Sequence, residues 1–83
     1  MHRTTPQFRA RFERLPPTVQ GLAQKNFELL KANPSHPSLH FKKVGRFWSA
    51  RIGLSHRALA VADGDDFIWV WIGDHDEYER LLD

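Results

Sequence analysis

Eighty-three residues, 41% hydrophobic and with ten aromatic side chains, suffice for one packed core and not for two, which excludes both a disordered chain and a two-domain enzyme. The lack of cysteine excludes a disulfide framework, a thiolate metal site and a cysteine nucleophile, and the longest apolar run, residues 67–72, is far short of the roughly 20 residues of a membrane span. The net charge of +2 hides a division: residues 1–57 hold eleven of the twelve Lys/Arg and two acids, net +9, and residues 58–83 are net −7.

A soluble, cytoplasmic single domain over residues 1–83 is expected, without membrane contact. Its basic part suits a polyanion such as nucleic acid, or a partner that reads both signs, unless folding intermixes the charges.

Residues 6–15 place Phe8, Phe12 and Leu15 on one side of a short helix and Arg9, Arg11 and Arg14 elsewhere. Pro16 and Pro17 stop it and open a second helix, whose stripe Val19, Leu22, Ala23, Phe27 and Leu30 runs to Asn33-Pro34. The two form a helical hairpin. The two-proline segment 33–40 reads as an ordered loop. From there the period becomes extended. Residues 39–44 and 47–52 flank Gly45-Arg46, with Trp48, Ala50 and Ile52 alternating against Phe47, Ser49 and Arg51. A turn at 53–55 leads to a strand near 56–62, and Asp63-Gly64-Asp65 makes a hairpin into FIWVWI. That run is apolar on both faces, as for a central strand covered on both sides. Asp74 or Asp76 caps a last short helix carrying Tyr78, Leu81 and Leu82. The predicted class is α+β: an N-terminal helical hairpin on a twisted antiparallel sheet of about four strands, with a short C-terminal helix.

Chemistry-bearing side chains gather on the strands: His40, Lys42, Lys43, Arg46, Arg51, His56 and Arg57, then His75 and Tyr78 after the last strand. Strands about 4.8 Å apart that present these on one face would make a basic groove with two or three imidazoles. A metal-free ribonuclease needs that equipment: a base for a 2′-hydroxyl, cations for the phosphorane and an acid for the 5′-oxygen. The bland alternative is a solvated basic face, with His75 serving to cap the last helix. His2 and His36 read as loop residues without a role. Zinc is not expected: His36 and His40 have i, i+4 spacing, but Pro37 breaks the helix that spacing requires. Trp48, Trp69 and Trp71 read as core before they read as base-stacking platforms.

The order helix, helix, four-strand meander and short tail resembles the RelE/ParE superfamily of toxins from bacterial toxin–antitoxin pairs. Leu15-Pro16, the segment FELLKANPSHPSLHFKKVG, then FWSARIG, HRALAV and the ending WIGDHDEYERLL carry the resemblance over nearly the whole chain. It implies helices packed on one side of an antiparallel sheet, with RNA bound on the opposite, concave side. Many members cleave mRNA in the ribosomal A site, whereas the ParE branch poisons DNA gyrase. Carried over by position, Gly73-Asp74-His75 matches the Gly-x-His ending of the RelE, HigB and YafQ-like branches, where the histidine is catalytic. His40, Lys43, Arg51 and Arg57 match the remaining catalytic positions, with His56 an alternative to Arg57; Lys42, Arg46, His56 and Tyr78 would contact RNA.

The family's full first strand would be short or absent here, because only five residues precede Pro6. Alternation supports Arg51, while the direction of Arg57 depends on whether a bulge lies near Ser55. Asp74, Asp76 and Glu77 beside His75 would stabilise its imidazolium and favour an acid role. The resemblance implies a toxin acting without metal or organic cofactor, with mRNA and the ribosome as targets and a cognate antitoxin as partner. The alternatives are a gyrase-directed inhibitor, for which the C-terminal segment is unsuitably acidic, and a non-catalytic homologue that binds antitoxin or RNA.

Overall fold

Thr5 opens the first helix by accepting a hydrogen bond from the Phe8 amide on its side chain, and Pro17 opens the second at the first turn, where its missing N–H costs nothing. In the computed structural model, which describes residues 1–82, the elements are β1 (His2–Thr4), α1 (Pro6–Glu13), α2 (Pro17–Ala32), a 3₁₀ turn (Pro37–Leu39), β2 (Lys42–Val44), β3 (Phe47–Ile52), β4 (His56–Asp63), β5 (Asp66–Asp74) and α3 (His75–Leu82). The class is α+β with the expected helical hairpin and C-terminal helix.

The sheet has five strands rather than four, in the order β1-β5-β4-β3-β2, and it is mixed. β2 to β5 form the antiparallel meander, and β1 runs parallel to β5 with His2 opposite Phe67 and Thr4 opposite Trp69. Three residues suffice for β1 because its flanks are pinned. The Phe67 amide donates to the Met1 carbonyl at 2.8 Å, the Thr5 amide to the Trp69 carbonyl at 3.1 Å, and the Trp69 indole to His2 Nδ1 at 3.0 Å. The β4–β5 hairpin closes with Asp63 paired to Asp66 around Gly64, whose φ of 60° suits a tight two-residue loop.

A bulge explains the doubly apolar run in β5. Leu59 pairs with Trp71 but Ala60 pairs with Trp69, so Val70 is the extra residue and the alternation changes phase there. Trp69 and Ile72 therefore both join the core beneath α1 and α2, with Leu30, Leu39, Ala50, Ile52, Ala58 and Ala60. Phe8, Phe12, Leu15, Phe27, Trp48 and Phe67 pack around it. Leu22, read as part of the apolar stripe, is 38% exposed and rests against Gly53 instead. An apolar cavity of about 300 Å³, lined among others by Phe12, Ala23, Phe27, Ala50 and Ile72, lies between the helices and the sheet. On the other face, Leu59 and Tyr78 are buried outside this core.

Candidate functional site

Residues paired across a ladder share a face, so the register shows which side chains meet. Trp48, Ala50 and Ile52 point at the helices, which turns Ser49 and Arg51 to the opposite face. Ser49 is flanked by Lys42 and Leu59, and Arg51 lies directly opposite Arg57, whose other neighbour is Gly73. No register shift occurs near Ser55, and Arg57 therefore stands beside Arg51 on the face away from the hairpin. Lys42 shares that face. Lys43 pairs with Trp48 and so projects toward the helical side of the edge strand. His56, paired with Ile52 and Asp74, has the helix-side parity at the end of the sheet, where Ser55 Oγ lies 2.7 Å from its Nδ1. Arg46 sits in the β2–β3 turn with its guanidinium 5.2 Å from the Phe47 ring centre.

His40 reaches the cationic face from the loop. It follows the 3₁₀ turn in a left-handed conformation, φ 45°, and its Nε2 accepts a hydrogen bond from Arg51 Nη1 at 3.1 Å. A guanidinium can only donate, so that ring nitrogen is unprotonated in this arrangement. Among the described residues Arg51 Nε is buried without a partner. Arg57 donates to the His56 carbonyl at 3.0 Å and lies 5.7 Å from the centre of the Tyr78 ring.

The other imidazole stands at the start of α3. Asp74 caps this helix, its Oδ1 accepting from the Glu77 amide at 2.8 Å, and the His75 amide donates to the Ser55 carbonyl at 2.8 Å. His75 Nε2 lies 3.1 Å from Glu79 Oε1, one helical turn on, and its ring centre is 6.3 Å from that of Tyr78. The carboxylate that holds His75 is thus Glu79. Of the acids expected beside it, Asp74 is occupied by the cap and Glu77 by Arg11 at 2.8 Å.

The two charge blocks intermix in part. Asp66 pairs with Arg3 and with the N-terminal ammonium, and Glu77 with Arg11. Among the described residues none of Lys42, Lys43, Arg46, Arg51 and Arg57 forms an ion pair. The structure thus joins His40, Arg51, Arg57, Tyr78 and His75 in a chain of neighbours with Lys42 on the same face; Lys43 and His56 lie off it. Sequence reasoning missed Arg11 and Glu79. The i, i+4 spacing of His75 and Glu79 signals the second; Arg11 gives no local signal, because its partners lie more than 60 residues away.

No protein-family profile and no curated protein matches the sequence. Solved structures do match in shape. The RelB–RelE antitoxin–toxin complex from Methanococcus jannaschii aligns over 98% of this chain and 99% of that one, with a TM-score of 0.75 and 14% identity. The toxin–antitoxin complex RelBE2 from Mycobacterium tuberculosis aligns over 90% and 96%, with a TM-score of 0.68 and 20% identity. The isolated E. coli RelE toxin aligns over 99% and 98%, with a TM-score of 0.67 and 10% identity. Similarity that spans both chains from end to end, with the helical hairpin on one face of the sheet and α3 on the other, gives this chain the fold of the RelE/ParE toxins.

Proposed function

We propose that this chain is the toxin of a toxin–antitoxin pair and a metal-independent endoribonuclease acting on translated mRNA in the cytoplasm. The observation that carries the reading is the cationic sheet face, on which no described carboxylate pairs with Lys42, Arg51 or Arg57, with an imidazole at each end: His40 against Arg51, and His75 beside Tyr78. Arg51 turns from His40 Nε2 to the phosphate, and the lone pair this frees takes the proton of a 2′-hydroxyl as its oxygen attacks the adjacent phosphorus. His75 gives a proton to the departing 5′-oxygen as the P–O5′ bond breaks. Arg51 and Arg57 hold the phosphoryl oxygens, where the charge develops. Lys42 and Arg46 line the approach of the RNA, Lys43 adds field from the edge strand, and Tyr78 flanks the acid, with His56 off this face at the end of the sheet.

A cognate antitoxin, the partner present in several structures of this fold, would neutralise the face with an amphipathic or acidic segment, or displace α3. Its binding should weaken with salt.

The test is single-turnover cleavage of a short message on programmed ribosomes. Products should carry a 2′,3′-cyclic phosphate or 3′-phosphate and a 5′-hydroxyl, EDTA should not inhibit, and His75→Ala or His40→Ala should each slow cleavage about 10²- to 10⁴-fold. Full activity in His75→Ala, 5′-phosphate ends or loss on chelation would overturn the assignment. Growth arrest with intact mRNA and broken DNA would move the target to gyrase.

A further inference from the structure

Beyond Trp69 the outer edge of β5 has no strand beside it among the described residues, because β1 ends at Thr4. One side chain covers the gap. Arg11, on α1, donates from Nε to the Ile72 carbonyl at 2.8 Å, satisfying an acceptor the short β1 leaves open. Its Nη2 continues to Glu77 Oε2 of α3 at 2.8 Å, and its guanidinium lies 5.1 Å from the centre of the Trp71 ring. Arg11 thus joins the helical layer on one face of the sheet to the helix on the other, around the sheet's edge.

Few other contacts hold α3. Tyr78 is its buried anchor, and the His75 amide is tied to Ser55. Glu77 lies two residues from His75 and next to Tyr78, so its attachment sets the rotation of the turn that carries both. A lysine could keep the charge pair but could not make two directed bonds and a planar stack together.

We infer that Arg11 is a positioning residue: it clamps α3 to the β5 edge and thereby sets where Tyr78 lies beside Arg57 and where His75 stands next to it. The role in catalysis rests on the ribonuclease reading; the clamp does not.

The experiment combines amide exchange, ring resonances and single-turnover cleavage on programmed ribosomes, in wild type, Arg11→Lys, Arg11→Ala and Glu77→Gln. Exchange should quicken in residues 76–82 and stay slow in β3 and β4. The resonances of Tyr78, the sole tyrosine, and of His75 should shift in all three variants. The cleavage rate constant at saturating message should fall about 10- to 100-fold in Arg11→Ala, in line with a misplaced acid, with half-saturation changed less than about threefold. Unchanged exchange and ring shifts in α3 would overturn the clamp, and exchange quickened throughout the sheet would reduce Arg11 to a general stabiliser and overturn it equally. A loosened α3 with unaltered cleavage would overturn the positioning role. If wild type cleaves no RNA, the ribonuclease reading fails alone, and exchange and ring shifts decide the clamp.

Discussion

Arg51 Nη1 and His40 Nε2 meet at 3.1 Å, and this contact leaves the guanidinium's Nε buried with no partner of its own. A buried unpaired donor costs about 1–3 kcal/mol, a burden carried at a site that function needs and stability does not. Arg51→Met keeps the aliphatic stem and removes the orphaned nitrogen. Its melting temperature should equal or exceed that of wild type, while RNA cleavage falls at least about 10²-fold. Thermal melts beside cleavage rates check this; a clear fall in melting temperature would show the arginine to be a structural residue.

His2 links acid to unfolding. The Trp69 indole can only donate, so the His2 Nδ1 it meets at 3.0 Å must be unprotonated, and the ring is enclosed by Phe27, Phe67 and Trp69. Burial, then the N-terminal ammonium and Lys31, hold the His2 pKa below its usual 6.5, with Asp66 opposing them. A depressed folded-state value means the unfolded chain binds the proton more readily. The contribution of His2 is therefore complete above about pH 6.5 and is lost as pH falls through the lower folded value. Urea melts from pH 7.5 to 5 should show falling stability, with a shallower fall in His2→Gln. An identical slope in the variant would assign the acid sensitivity elsewhere.

The elements legible in the sequence are those with local causes. Phe8, Phe12 and Leu15 repeat with the helical period, Pro17 and Asn33 bound α2, and Gly64 marks a hairpin whose register the structure shows. β1 was hard to read because its partners lie some 65 residues away and residues 1–5 show no alternation. The bulge opposite Leu59/Ala60 follows from packing a doubly apolar strand between two layers, and no residue in FIWVWI marks it. The site was legible as a list of residue types rather than as an arrangement. Adjacent Lys42 and Lys43 project to opposite faces, and only the pairing with Ser49 and Trp48 tells which shares a face with Arg51.

The core sorts α2 by depth. Leu30 of α2 is 3% exposed and Ile72 of β5, beneath it in the same core, 1%, whereas Leu22 of α2 is 38% exposed. Leu30→Ala and Ile72→Ala should each destabilise by about 2–5 kcal/mol, and Leu22→Ala by less than about 1 kcal/mol. Denaturant melts of the three variants decide it, and a Leu22→Ala loss as large as that of Leu30→Ala would mean α2 sits deeper than described.

Gly73 sets the fit between β5 and the cation–π stack. It is buried and paired with Arg57, and a Cβ there would stand 2.5 Å and 2.8 Å from two Trp71 ring carbons and 3.1 Å from Arg11 Nη2. The indole cannot yield by bending, so Gly73→Ala should push Trp71 aside, detach Arg11 from its face and cost about 1–3 kcal/mol. The cause can be separated from any backbone preference of glycine. In Gly73→Ala/Trp71→Leu the clash is gone, and the double variant should be less destabilised than the sum of the two single changes, a favourable coupling of at least about 0.5 kcal/mol. Denaturant melts of the two single variants and the double variant measure it. Strict additivity would locate the strain in the backbone and leave the close approach to Trp71 without energetic weight.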